Sequence, residues 1–371
     1  TAGASVVTID GYLDPTEREN TIITGNIVNE MQIGSATHTI LCGELIDTTN
    51  KNKRYDTYWS TTADDNEVFN ITRPMDFTVN SAGVATNNDF TADLNRQTQS
   101  DIEVTSIYIQ DQIDVSENLK VMIGGRHDTF DITVKDVKNG TAQLREDKEF
   151  SPRAGIIYKP KENVSYYYSY SESFLPRSGE QFKALSASSA ALDPDVYESS
   201  EIGVKVAIND DLSFVAAYFD SEQTRAVRDS VTGETNEIVG LVVDGFELEL
   251  KGKVSDKMSL VAGISKMDGQ TSSGGEPREI PDHTLSFFAT YDLTDKFAWS
   301  LGMTRQGESN IGNNNPDRVL PSYTRIDFAA NYQIADDLSF SMNIENLTDS
   351  LYFPHSHSSP VSYTHLRAHE T

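Results

Sequence analysis

The chain has 371 residues, 37% hydrophobic and 9% aromatic, with 57 acidic against 30 basic side chains and a formal charge of −27. The aromatic share excludes a disordered chain, the acidity argues against a nucleic-acid partner, and the single cysteine, Cys42, excludes a disulfide framework and a thiolate metal cluster. No run approaches the roughly 18 apolar residues of a membrane helix, and mean hydropathy is −0.45. A transmembrane β-barrel keeps the same polar average, because only alternate residues need to face lipid.

Period-two alternation predicts about fifteen strands, near 3–12, 21–32, 36–48, 98–115, 119–135, 148–159, 164–175, 195–208, 212–226, 237–253, 258–268, 281–293, 297–306, 320–334 and 338–348. Val164, Tyr166, Tyr168 and Tyr170 alternate with Ser165, Tyr167, Ser169 and Ser171. Phe246, Leu248, Leu250 and Val254 alternate with Glu247, Glu249, Lys251 and Lys253. Phe297, Trp299, Leu301 and Met303 share one face, Ile326, Phe328, Ala330 and Tyr332 another, and Leu338, Phe340, Met342 and Ile344 a third. Alternation alone fits any antiparallel sheet with one wet face, including a soluble sandwich or propeller.

The connections separate these readings. Six short turns repeat an acidic residue, a polar one and an apolar strand opener: Glu117-Asn118-Leu119, Glu162-Asn163-Val164, Asp210-Asp211-Leu212, Asp256-Lys257-Met258, Asp295-Lys296-Phe297 and Asp336-Asp337-Leu338. Between them lie two long strands and one polar loop, where a propeller blade would need four short strands. The long loops are placed at 13–20, 49–97, 136–147, 176–194, 227–236, 269–280, 307–319 and from 349 onward. Tight turns at one end and long loops at the other are the asymmetry of an outer-membrane barrel.

The strands also carry phrases in a characteristic order: Tyr108-Ile109-Gln110-Asp111-Gln112 with Gly124-Gly125-Arg126-His127-Asp128, Ser151-Pro152-Arg153-Ala154-Gly155, and Tyr168-Ser169-Tyr170-Ser171-Glu172-Ser173-Phe174. Glu201-Ile202-Gly203-Val204-Lys205, Gly245-Phe246-Glu247-Leu248, Leu320-Pro321-Ser322-Tyr323-Thr324-Arg325-Ile326-Asp327 and Asn343-Ile344-Glu345-Asn346-Leu347-Thr348-Asp349 follow. Over about residues 20 to 354 the chain resembles the TonB-dependent outer-membrane receptors, in their siderophore-receptor branch.

The resemblance implies an all-β, antiparallel transmembrane barrel in the bacterial outer membrane, about fifteen strands of an expected 22, with the amino-terminal plug domain and the closing strand missing. It implies 1–360 as partial barrel, whereas 361–371 breaks the alternation and resembles a translated library-adapter sequence. It further implies a receptor that imports a ferric siderophore, with no covalently bound cofactor. The partners it implies are TonB (with ExbB/ExbD) acting through the plug, and outer-membrane lipid and lipopolysaccharide. A passive porin-like channel, uptake of haem or cobalamin, and a soluble propeller are the competing readings.

No nucleophile elbow, zincin, P-loop or EF-hand motif occurs, so no enzyme is expected. Four of the seven histidines lie at 355, 357, 365 and 369, without a fixed element or ligand spacing, and no metal site is expected. Asp128 with His127 is read as lumen lining. Inward charges at Glu247, Glu249, Lys251, Lys253, Arg325 and Asp327 are expected to line a wet lumen, pairing across strands or touching the plug. Cys42 is read as an inert strand residue.

An anionic chelate with aryl or amide oxygen ligands suits guanidinium and aromatic partners at the outer rim. The candidate contacts are Arg54, Tyr55, Trp59 and Arg73 in the longest loop, Arg177 and Phe182 after Phe174, and Arg225 and Arg305 at loop bases. Tyr58, Phe69, Arg228 and Arg318 are similarly placed. The competing role is anchoring of aromatics at the membrane rim and contact of arginines with lipopolysaccharide phosphate.

Overall fold

The computed structural model describes residues 6–10, 13, 15–34, 36–41, 44–55, 66–70, 76, 78–86, 94–176, 185, 193–228, 235–311 and 319–354. Every regular element among them is a strand: β1 (Val6–Asp10), β2 (Thr16–Thr24), β3 (Asn29–Ile33), β4 (Ala36–Leu41), β5 (Glu44–Tyr55), β6 (Asn66–Asn70), β7 (Leu94–Ser116), β8 (Leu119–Asp136), β9 (Thr141–Lys161) and β10 (Val164–Leu175). There follow β11 (Asp195–Ala207), β12 (Leu212–Arg228), β13 (Thr235–Ser255), β14 (Met258–Thr271), β15 (His283–Thr294), β16 (Phe297–Gln306), β17 (Ser309–Asn310), β18 (Val319–Leu320), β19 (Tyr323–Ala335) and β20 (Leu338–Ile344).

One 16-stranded antiparallel sheet carries the fold, in the order β2-β5-β7-β8-β9-β10-β11-β12-β13-β14-β15-β16-β19-β20 with β3 and β4 beside the path. β4 pairs with β7 opposite residues 110–114 and β5 pairs with it opposite 94–106, so the two continue one another along a single neighbour. All six repeated turns close hairpins at one end of the sheet. In each, an acidic-polar pair needs no partner from the ladder, and the apolar residue that follows begins the next strand.

Several expectations are corrected. The strand placed at 21–32 is divided between β2 and β3 and the one placed at 36–48 between β4 and β5, and the loop placed at 13–20 is taken up from Thr16 by β2. The strand near 3–12 is present as β1 but pairs with β6, Val7 opposite Phe69, outside the large sheet. Alternation marks a strand without naming its neighbour. The loop placed at 136–147 shrinks to a turn at 137–140, because Gln143, Arg145 and Asp147 pair opposite Val134, Ile132 and Phe130 and extend the hairpin. The long loop placed at 49–97 is narrowed on both sides, since β5 runs to Tyr55 and β7 starts at Leu94. Cys42 and residues 361–371 lie outside the described residues.

The register sorts the side chains into two faces. Ile156, Tyr168, Ile202, Tyr218 and Phe246 stand directly opposite one another across β9 to β13, and each is 42% to 59% exposed. A continuous apolar row of this kind is unfavourable in water and matches the lipid-facing band of a barrel. On that same face, towards the long loops, two carboxylate rows follow. Glu172, Glu198 and Glu222 are in register across β10 to β12, and Asp220, Asp244 and Asp268 across β12 to β14. Six carboxylates therefore lie on the outer wall, above the apolar band.

The opposite, lumen-facing side is polar along most of its length. Near the long-loop end it carries a small core: Ile102 and Val104 of β7 and Ile132 and Val134 of β8 bury against Leu185, with Phe130 packed on the cluster. At the tight-turn end, Gly252 holds φ at +138°, and a Cβ there would lie 1.8 Å from the Asp211 carbonyl oxygen. Glycine is required at this position by both conformation and space.

Candidate functional site

Arg-x-Asp occurs in three strands, at Arg126-His127-Asp128, Arg145-Glu146-Asp147 and Arg325-Ile326-Asp327. A two-residue step on a strand keeps both side chains on one face, so each pair closes within its own strand. The Arg126 Nε to Asp128 Oδ1 distance is 2.7 Å, Arg145 Nε to Asp147 Oδ1 is 2.5 Å, and Arg325 Nη2 to Asp327 Oδ2 is 2.8 Å. Arg325 and Asp327 thus pair along β19, where pairing across strands or with a plug was expected. No ion pair within the described residues joins Glu247, Glu249, Lys251 or Lys253 across strands either.

The pair on β8 sits in a larger network. Ser106 of β7 donates to Asp128, Arg126 Nη2 donates to Ser106 Oγ over 2.7 Å, and the Arg126 guanidinium lies 5.9 Å from the Tyr108 ring centroid. Asp128 and Ser106 are buried. Asp128 therefore lines the lumen as expected, while His127 points from the other face, opposite Ile107 and Phe150.

The wall divides just beside this network. The β9–β10 ladder ends at Ser171 opposite Arg153, next to Pro152, which has no N–H to donate. Beyond it β9 continues with β8 and β10 continues with β11. Phe174 of β10 crosses to meet Phe130 of β8 edge-on, with ring centroids 5.3 Å apart at 84°. The crotch is a cavity of about 690 Å³ lined by Tyr108, Arg126, Phe130, Arg153, Ser171 and Phe174, among others. That volume suits part or all of a small ligand. Arg126 is neutralised by Asp128, whereas Arg153 has no ion pair within the described residues. Two guanidiniums beside three aromatic rings provide bidentate hydrogen bonding and stacking for an oxygen-rich or aryl-bearing ligand. No group of three or more His, Cys, Asp or Glu placed to hold a metal occurs among the described residues.

The candidates named from sequence are dispersed. Arg305 projects from the outer face of β16, between Leu285 and Thr324, with Nη1 3.4 Å from Thr324 Oγ1. Arg54 and Tyr55 occupy the end of β5, opposite Arg96 and Leu94, and Arg225 lies in β12 opposite Ile238. Trp59, Arg73, Arg177 and Phe182, with Tyr58 and Arg318, lie outside the described residues. Phe69 is buried in β6. Sequence reading missed Tyr108, Arg126, Phe130 and Arg153 as a group. The usable signals were the Arg-x-Asp spacing and the proline before Arg153.

Towards the outer tip, Asp136 accepts hydrogen bonds from Asn139 Nδ2 at 2.6 Å and from the Asn139 amide at 3.1 Å. These hold its carboxyl below its ordinary value, the side-chain bond contributing most.

A family model described as "TonB dependent receptor-like, beta-barrel" matches residues 11–347. Among curated proteins the chain is 28% identical over 291 residues to "Probable TonB-dependent siderophore receptor PiuA" of Acinetobacter baumannii, covering 70% of this chain and 38% of that one. It is 26% identical over 357 residues to the ferrichrome outer membrane transporter/phage receptor of Escherichia coli, covering 92% of this chain and 46% of that one. The crystal structure of the A. baumannii siderophore receptor PiuA matches with a TM-score of 0.76 at 21% identity, over 94% of this chain and 54% of that one. The chain spans about half the length, or less, of the relatives it matches.

Proposed function

Since this chain belongs to the TonB-dependent receptor β-barrel family, whose members sit in the bacterial outer membrane, we propose that it forms barrel wall of a receptor that binds and imports ferric siderophores. The observation that carries the reading is the lumen-facing cavity at the fork of β9 and β10, where Arg126, Arg153, Tyr108, Phe130 and Phe174 converge. The names of its relatives, among them siderophore, ferrichrome and ferripyoverdine receptors, agree with it. The family is one of receptors, and the chemistry offered by the cavity is recognition.

In this reading 1–360 is barrel and 361–371 stands apart from it. TonB, with ExbB/ExbD, acts through a plug domain of the whole receptor, and the outer wall meets lipid and lipopolysaccharide. The strand ends bearing Arg54, Tyr55 and Arg225, with the segments bearing Trp59, Arg73, Arg177 and Phe182, offer the first contacts to the chelate. Arg305, on the outer face, is assigned to lipopolysaccharide phosphate.

The test is growth of iron-limited cells producing the full-length receptor, supplied with a panel of purified ferric siderophores. Rescue by at least one chelate, lost in Arg153→Ala with surface abundance unchanged, is the expected result. Absence of rescue by any ferric chelate overturns the reading. Removal of residues 56–93 is expected to abolish uptake while the barrel remains heat-modifiable on gels, and unchanged uptake would take that loop out of the site.

A further inference from the structure

Below the cavity, towards the tight turns, the lumen wall changes character. Lys120 of β8, Lys159 of β9 and Lys205 of β11 line a second cavity, of about 390 Å³, together with Gln112, Met122 and Tyr167. Cross-strand register links them: Lys120 is opposite Ile157, Ile157 is opposite Tyr167, and Lys205 is opposite Ser165. The row continues sideways, Lys205 facing Val215 of β12, and Ser213 of β12 facing Lys251 of β13, with Lys253 two residues on.

Of these five lysines, Lys120 is neutralised by Asp114, its Nζ 2.7 Å from Oδ1. Lys205 Nζ lies 5.1 Å from the Tyr167 ring centroid, and Tyr167 donates its hydroxyl to Glu201. Lys159, Lys205, Lys251 and Lys253 have no ion pair within the described residues. On this face Glu249 stands opposite Val215, in the same cross-strand row as Lys205, and Glu201 and Glu247 lie farther towards the long loops. A chain with charge −27 thus turns a cationic strip towards the aqueous interior, at the end where an imported solute would leave. A charged strip in a narrow, low-dielectric wall concentrates counter-ions and excludes co-ions.

We propose that this strip is a track for an anionic ligand, with Lys159 and Lys205 as specificity-determining residues, and that the chelate passing this barrel carries net negative charge. The proposal rests on the import reading and names its substrate class. At the fork Arg126 is neutralised by Asp128, whereas the strip sets five lysines against Asp114 and Glu249 and so has an excess of positive charge. It favours charge over shape, so a compact anion of any geometry is drawn along it.

The experiment compares the full-length receptor with its Lys159→Gln/Lys205→Gln and Lys159→Arg/Lys205→Arg variants, using an anionic ferric tris-catecholate and an uncharged ferric tris-hydroxamate. Uptake into iron-limited cells is read beside equilibrium binding to purified protein in detergent. The glutamine pair is expected to lower uptake and binding of the anionic chelate by about three- to tenfold. The arginine pair is expected to restore both, and the uncharged chelate should respond to neither substitution. Equal effects on both chelates, or no effect, overturn the track while leaving import intact. Lysine-dependent binding of the anionic chelate without uptake of either chelate keeps the track and overturns import. Loss of uptake of both chelates with new protease sensitivity assigns the lysines to a polypeptide seated in the lumen, which also overturns the proposal.

Discussion

Arg145 and Asp147 stand two residues apart on β9, with Arg145 Nε 2.5 Å from Asp147 Oδ1 and side-chain exposures of only 9% and 2%. Removing the cation alone leaves a carboxylate buried beside the Ile132–Leu185 cluster. Arg145→Ala is expected to destabilise the outer part of the wall by about 3–5 kcal/mol, while the volume-conserving double change Arg145→Met/Asp147→Leu should be close to neutral. Thermal unfolding of the purified barrel in detergent distinguishes the two, and equal losses in both variants would show the charge to be irrelevant.

Gly252 is the most constrained glycine of the tight-turn end. A methyl group there meets the Asp211 carbonyl oxygen at 1.8 Å in a conformation that L residues rarely adopt. Gly252→Ala should cost about 1–3 kcal/mol from strain and overpacking and lower the unfolding temperature. Gly140, with φ +67° and open space around it, should lose less on the same change, which separates crowding from backbone conformation.

The Asp220–Asp244–Asp268 row places like charges directly opposite one another on two successive strand pairs. Asp220→Asn should therefore stabilise the sheet by roughly 0.2–1 kcal/mol at low ionic strength, with the gain shrinking in high salt. Unfolding temperatures measured at low and high sodium chloride check both the sign and the screening.

The outer hairpin tip should loosen in acid. Asp136 has a folded-state pKa below the ordinary 3.8 because Asn139 donates to its carboxylate. Its contribution is complete above 3.8 and disappears as pH falls through the depressed folded value. Protease nicking at 137–140, followed with an acid-active protease, should rise over that window in the native protein. In Asp136→Asn the tip should be equally open at every pH.

Much of the wall was legible because a barrel strand writes its two environments into alternate letters. Tyr166 and Tyr168 against Ser165 and Ser169 fix a strand and its faces without any partner being known. The acidic-polar-apolar turns were equally visible, since a tight hairpin draws its chemistry from two or three adjacent residues. Pairings that depend on distant chain were hidden. Nothing in Val6–Asp10 indicates that it prefers Asn66–Asn70 to the main sheet, and Phe130 and Phe174 meet only because the ladder stops at Arg153. The Arg325–Asp327 pair was present in the letters, since a two-residue step keeps both side chains on one face, but a charge on a strand can equally meet a neighbour, and the sequence alone does not choose between them.

The three Arg-x-Asp pairs bear on how the wall is built. Strands at Arg126, Arg145 and Arg325 each bring their own counter-charge two residues away. A hairpin carrying such a strand is already neutral at that point when it reaches the lipid boundary, and need not wait for its neighbour to compensate it. At these three positions assembly can then advance without waiting for a neighbouring hairpin to supply the counter-charge.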